Sequence, residues 1–249
     1  MSEATDLRPT WTRDFGSFIA HGRSLDPERA AELEQRRAIE DAEERERKLL
    51  ADKIANARKL SDLGERFETR TFRTYLVPPG DGFAKSTAYK VARDPSSGAW
   101  LYGPYRTGKT HLAAAIVNAC VQRGIPAAFT TAIGLLDRLK RSYDRDNRLR
   151  GGEYDVIEWL SRVDVLVLDD LDKAKFNEWA SQRLYALVNR RFEHHKPLIV
   201  TTNGSPADLA EQWSKSGLDD LIAGAIMVRM REMCKPIIPL SAPPYEGTE

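Results

Sequence analysis

The chain has 249 residues, of which 41% are apolar and 30% charged, with a net charge of +1. That length allows one good-sized core with a small appendage, and the composition is that of a soluble globular protein. The near-neutral balance excludes a global field for nucleic acid or membrane, so any such contact has to rest on local clusters. The two cysteines, Cys120 and Cys234, match no disulfide framework, zinc site or redox pair, which fits a reducing compartment. The N-terminus MSEATDLRPTW lacks the basic and apolar regions of a signal peptide. No apolar run nears the roughly 18 residues of a membrane span. The expected setting is the cytoplasm, with no membrane contact.

Residues 1–25 are punctuated by glycine and proline and carry a small apolar group at Trp11, Phe15, Phe18 and Ile19. The last three share one face of a short helix, which is either a docking face or a piece of core. From Asp26 the character changes. Asp26-Pro27-Glu28 is a helix start, with a capping carboxylate, a proline in the first turn and an acid at the positive end of the dipole. The following stretch runs to Gly64 without a breaker, and Glu32/Arg36, Asp41/Arg45, Glu43/Arg47 and Glu44/Lys48 are acid-to-base pairs at i,i+4. Its middle has almost no apolar stripe. It is therefore a long exposed helix or helical pair, or an arm that binds a partner.

After about Phe67 short apolar strands alternate with helical stretches. Strands are expected at 99–102, 126–131, 163–168, 197–202 and 236–240, and helices at 109–123, 132–143, 175–193 and about 218–233. Such alternation implies an α/β fold with a five-stranded parallel sheet covered on both faces.

The first strand leads into "GPYRTGKTH", Gly103 to His111, whose G-x-x-x-x-G-K-T spacing is that of a phosphate-binding loop. Its context, after a strand and before a helix, is the one the chemistry needs. Loop N–H groups and the helix's positive end surround phosphates, Lys109 reaches the β/γ oxygens, and the Thr110 hydroxyl takes a place on Mg²⁺. Gly103, Pro104, Tyr105, Arg106, Thr107, Gly108, Lys109, Thr110 and His111 are thus the candidate nucleotide contacts. Some sixty residues on, "VDVLVLDDLD" is a buried-type strand ending in two carboxylates. Ionised acids there are costly unless they face a cation or water. Asp169 suits a direct or second-shell place on Mg²⁺, and Asp170 suits polarising the attacking water. In "LIVTTNG", Thr202 and Asn203 end another apolar strand. The Asn203 amide there either meets the γ-phosphate and the water, or belongs to an ordinary Asn-Gly turn.

These elements, with the phrases "THLAAA", "LYALVNRRFEHHKPLIVTTN" and "MVRMREM", resemble the helicase-loader branch of the AAA+ ATPases, DnaC/DnaI-like and related to the transposition helper IstB. The resemblance covers about residues 65–240, including the lead-in "LGERFETRTFRTY". It implies an AAA+ P-loop NTPase core over 66–249 without a C-terminal lid, preceded by a helical partner-binding region over 1–65. It implies ATP/ADP and Mg²⁺ as ligands, and Lys109, Asp169, Asp170 and Asn203 as catalytic residues. It also implies self-association, with Arg229 as the arginine finger reaching a neighbouring subunit's site. From the residues alone Arg231 is an equal candidate. The implied partners are a replicative hexameric helicase, which the chain would load, and single-stranded DNA; the alternatives are an IstB-type transposition helper acting on duplex DNA and a nucleotide-binding scaffold with little turnover.

Four departures stand out. Arg106 replaces the usual glycine, so either the loop shifts or the position does not need positive φ. Asp170 is one methylene shorter than the usual glutamate, which implies weak hydrolysis with the nucleotide as an assembly switch. Asp172 has no evident role. The N-terminal region has none of the cysteine ligands of zinc-bearing loaders. Finally, Arg138, Lys140, Arg141, Arg145, Arg148 and Arg150 face only two acids in 138–150, with Tyr143 available for stacking. This is a candidate single-strand contact, or a solvated helix end and loop.

Overall fold

The computed structural model describes residues 27–241 apart from residues 60, 62–63, 79, 95, 143–152 and 217–218. The chain divides into two compact units, Met1–Leu49 and Leu50–Glu249. Within the first, the described residues are the N-terminal part of helix α1 (Pro27–Lys59), with Glu28 in its first turn as the sequence predicts. Side chains along it are mostly exposed, Ile39 and Leu49 included, as expected of a helix with no apolar stripe. The apolar group at 11–19 lies outside the described residues.

The second unit holds the last turns of α1, then α2 (Glu65–Glu68) and α3 (Gly82–Arg93). The alternating core follows: β1 (Ala99–Tyr102), α4 (Lys109–Gln122), β2 (Ala127–Thr131) and α5 (Ala132–Arg141). Next come α6 (Glu153–Arg162), β3 (Val165–Asp169) and a 3₁₀ turn at Leu171–Lys173. The chain continues through α7 (Glu178–Glu193), β4 (Leu198–Thr202), α8 (Pro206–Lys215), α9 (Asp220–Met233) and β5 (Ile237–Pro239). All five predicted strands form, with ends shifted by two residues or fewer. Helices α2, α3, α6 and α8 were not predicted. The start of α8 was nonetheless written in the sequence: Ser205 and Asp208 form a reciprocal capping box around Pro206 at the first helical position.

The sheet order is β2-β3-β4-β1-β5, and every neighbouring pair is parallel. Strict alternation along the strands supplies two cores. Trp100, Leu166, Leu168, Leu198 and Val200 point to the face covered by α5 to α9. Leu101, Val165, Val167, Ile199 and Ile238 point to the face covered by α3 and α4. Full burial of each large side chain contributes about 1.5–3 kcal/mol. The middle of helix α4, from Leu112 to Val117, is apolar and buried.

One charged side chain is built into the first core. Arg191 on α7 is fully buried, and its guanidinium donates to the carbonyls of Leu160 (2.7 Å), Val163 (2.9 Å), Asp164 (3.4 Å) and Pro197. It thereby fastens the end of α6 and the start of β3 to the start of β4.

Candidate nucleotide site

Three adjacent strands end at one edge of the sheet, and their exits build the site. β4 lies between β1 and β3, with Tyr102 level with Thr202 and Leu168 level with Val200. The loop after β1, the acids closing β3 and Asn203 after β4 therefore converge. A crevice beyond the carboxyl ends of parallel strands is where open α/β sheets take ligands. Here the loop, Asp170 and Asn203 line a cavity of about 500 Å³.

Glycine is required twice in the loop. Gly103 has φ 152°, and a Cβ there would lie 2.0 Å from the Leu240 carbonyl oxygen. That carbonyl is close because Leu240 N donates to Tyr102 O at 2.7 Å, extending β5 alongside β1. Gly108 has φ 91°, and a Cβ would meet the Tyr75 ring at 2.7 Å. Between them Arg106 has φ 64°. This corrects the sequence expectation: the position does take the left-handed region, and arginine adopts it at a cost of about 1 kcal/mol. Arg106→Gly is therefore expected to keep or tighten nucleotide affinity in a calorimetric titration. A tenfold loss would make Arg106 a phosphate ligand instead.

Lys109 opens α4 directly after Gly108 and is buried. Its ammonium donates to Gly103 O and Pro104 O, both at 2.7 Å, and to Asn203 Oδ1 at 3.2 Å. Burial lowers its pKa, and the nearby carboxylates of Asp170 and Asp172 oppose that shift. Thr107 Oγ1 donates to Pro104 O at 2.9 Å and tightens the same turn. Tyr105 lines the cavity and is mostly exposed.

Asp169 is buried at the end of β3. Thr110 Oγ1 lies 3.1 Å from both of its oxygens, and Thr201 Oγ1 donates to Oδ1 at 2.6 Å. Burial pushes its pKa up to about 6, with the Asp170 charge adding and the two hydroxyls pulling the other way. A buried carboxylate with a threonine hydroxyl beside it fits a hard divalent cation, whose remaining ligands would be phosphate oxygens and water. Among the described residues no cluster of three His, Cys, Asp or Glu exists that would hold a metal without such help.

Asp170 also takes a left-handed conformation, φ 53°, with its N–H on Thr201 Oγ1 at 2.8 Å. Its Oδ2 pairs with Lys173 Nζ at 2.5 Å, and the same ammonium sits 5.3 Å from the Tyr105 ring centroid. Lys173 thus links the second acid to the loop. Asp172, to which the sequence gave no role, has a partner here: its Oδ2 accepts from Asn203 Nδ2 at 2.6 Å. Thr202, singled out with Asn203, turns to the core instead and accepts from Trp100 Nε1 at 2.8 Å. Thr201 is the threonine of this strand that faces the acids.

The lead-in segment walls the cavity with Phe67, Arg70, Thr74, Tyr75, Leu76 and Pro78. Two side chains of α4 grip its backbone. His111 Nε2 donates to Thr71 O at 3.0 Å, and Asn118 Nδ2 donates to Phe67 O and Arg70 O at 2.9 and 2.8 Å. Burial lowers the His111 pKa. His111 also packs edge-on against Tyr75, with ring centroids 5.2 Å apart.

The remaining predicted residues are elsewhere. Arg229, in the middle of α9, places its guanidinium 5.4 Å from the Tyr185 ring centroid and 5.7 Å from that of Phe192, and it donates to Ala225 O at 3.1 Å. It does not line this cavity. Arg138, Lys140 and Arg141 form the basic last turn of α5, with Lys140 Nζ 6.0 Å from the Trp179 ring centroid. Tyr143, Arg145, Arg148 and Arg150 lie outside the described residues. No helix among the described residues is long and apolar enough to cross a membrane.

Comparison with known proteins agrees with this geometry. The family described as IstB-like ATP binding protein matches residues 94–242. The chain is 30% identical over 128 residues to the ATP-binding protein assigned to insertion sequence IS5376 of Geobacillus stearothermophilus, covering 51% of this chain and 47% of that one. It is 30% identical over 177 residues to the chromosomal replication initiator DnaA of Gluconobacter oxydans, covering 69% of this chain and 35% of that one. The chain thus spans about a third to a half of the length of the curated relatives it matches. Among solved structures, the DnaC helicase loader superposes with a TM-score of 0.59 at 24% identity, covering 71% of this chain and 99% of that one. DnaI does so with a TM-score of 0.60 at 19% identity, covering 74% and 96%. These likenesses show the fold, the AAA+ P-loop NTPase core. The family match spans more than half of the chain, which therefore belongs to the IstB-like ATP-binding proteins.

Proposed function

We propose that this chain is an ATP-dependent loader of a replicative hexameric helicase, acting on single-stranded DNA in the cytoplasm. The observation that carries the ATPase part is the meeting of Lys109, Thr110, Asp170 and Asn203 at one cavity, with Asp169 hydrogen-bonded to Thr110 behind it. Lys109 exchanges loop carbonyls for β- and γ-phosphate oxygens. Thr110 and Asp169 are the residues that would hold Mg²⁺, which when bound would neutralise phosphate charge. Asp170 orients the attacking water. With Oδ2 paired to Lys173, Oδ1 is the oxygen left to accept from it. Arg229 of a second copy completes the site by self-association. Its stacking on Tyr185 and Phe192 means that it must turn outward to do so.

The loader part is supported by the near-complete coverage of DnaC and DnaI by this chain's AAA+ unit. The region 1–65 holds the helicase, and the basic turn of α5 with Arg145, Arg148 and Arg150 follows the DNA backbone. Mass photometry of the chain with its cognate replicative helicase tests this reading. A helicase hexamer carrying several copies in ATP, lost on deleting residues 1–65, is the expected result. No complex with or without ATP would overturn it. The family match and the insertion-sequence relatives favour a second reading, a transposition helper assembling on duplex DNA. Tighter ATP-dependent binding to duplex than to single strands would select it.

A further inference from the structure

The sequence assigned no role to Asp172, and the structure places it in a chain of three polar side chains. Asn203 Nδ2 donates to Asp172 Oδ2 at 2.6 Å, while Asn203 Oδ1 accepts from Lys109 Nζ at 3.2 Å. Asp172 is itself held by the 3₁₀ turn and by Gln212 Nε2, which donates to its carbonyl at 2.9 Å. Its other oxygen, Oδ1, is buried without a hydrogen-bond partner among the described residues, so the carboxylate is directed at one amide. A primary amide has two nearly equivalent orientations, and its neighbours decide which one is adopted. Turning Asn203 by 180° would set its carbonyl against a carboxylate and its NH₂ against an ammonium. Both ends of the chain therefore forbid the flip, and both bonds in the observed orientation are charge-assisted.

We infer that Asp172 is a positioning residue that fixes the amide of Asn203. One N–H is spent on the carboxylate and the carbonyl faces Lys109. The second N–H is then the single donor that the amide can offer to a γ-phosphate or to the attacking water. Asp172 also places a negative charge near Lys109, which opposes phosphate binding. This inference rests on the ATPase reading of the site. It predicts that Asp172 serves turnover and not affinity.

The test is a double-mutant cycle of Asp172→Asn and Asn203→Ala, read by steady-state turnover, by titration with a fluorescent ATP analogue and by thermal unfolding. Asp172→Asn conserves size and is expected to lower kcat about tenfold, with nucleotide affinity within twofold of wild type or tighter. Asn203→Ala lowers kcat on its own, and adding Asp172→Asn to it causes no further loss. An unchanged kcat in Asp172→Asn would overturn the inference. So would a double variant whose loss is the product of the two single losses, or a variant that loses affinity and melting temperature together. Wild-type turnover in Asn203→Ala would instead overturn the role given to Asn203, and this inference with it.

Discussion

Lys109→Ala is expected to weaken ATP binding by at least about 100-fold and to remove turnover. The ammonium is buried and already spends its three donors on Gly103 O, Pro104 O and Asn203 Oδ1. Phosphate oxygens are better acceptors than neutral carbonyls, and each charge-assisted hydrogen bond is worth about 1.5–3 kcal/mol. Two such bonds amount to roughly 3 kcal/mol, or about two decades in Kd. Truncation also removes the Lys109 donor from the Gly103 carbonyl and leaves the Pro104 carbonyl with Thr107 Oγ1, which loosens the turn that Thr107 tightens. Lys109→Met, which keeps most of the side-chain volume but no donor, separates the loss of packing from the loss of hydrogen bonds. A calorimetric titration that places either variant within threefold of wild type would show that the phosphates are held elsewhere.

Arg191→Met should cost about 3 kcal/mol or more of folding stability while sparing the site. The side chain lies in the α5–α9 face of the core and supplies donors to four carbonyls. Methionine fills the volume but donates to none of them, and each buried acceptor left bare costs about 1–3 kcal/mol. Burial lowers the guanidinium pKa to about 9, so it remains charged at neutral pH. For a chain of this length the loss corresponds to a fall in Tm of roughly 6–12 °C. Thermal unfolding measures it, and a fall below 2 °C would show that water or backbone movement satisfies those carbonyls. Nucleotide affinity at low temperature should be unchanged, because no donor of Arg191 reaches the cavity.

What was legible in the sequence follows from how each feature is encoded. Buried parallel strands are continuous apolar runs, so all five were visible, and the phosphate loop is contiguous in sequence. Asp169 and Asp170 stood out because acids are costly at the end of such a run. The pairings between strands were not legible. Sequence offers two threonines at the end of β4, and only the pairing of β4 with β3 on one side and β1 on the other decides that Thr201 meets Asp169 while Thr202 meets Trp100. Asp172 is likewise explained only once β3 and β4 are neighbours. The cavity wall from Phe67 to Pro78 depends on His111 and Asn118 gripping backbone carbonyls, a contact without any residue-type signature in the lead-in. Helix α3 starts at Gly82 after Asp81, a residue type that favours helix starts, although its side chain makes no capping bond there. The left-handed Arg106 departs from the local rule that reserves positive φ for glycine, at the loop where the nucleotide is read.

The most direct test of the ATPase claim is Mg²⁺-dependent ADP release by the full chain, measured alone, with single-stranded DNA and with duplex DNA, beside Asp170→Asn. Slow turnover that rises with DNA or protein concentration and falls at least tenfold in Asp170→Asn is the predicted result. Tight ATP binding with no ADP release under any of these conditions would contradict it. The chain would then be a nucleotide-gated scaffold rather than an enzyme.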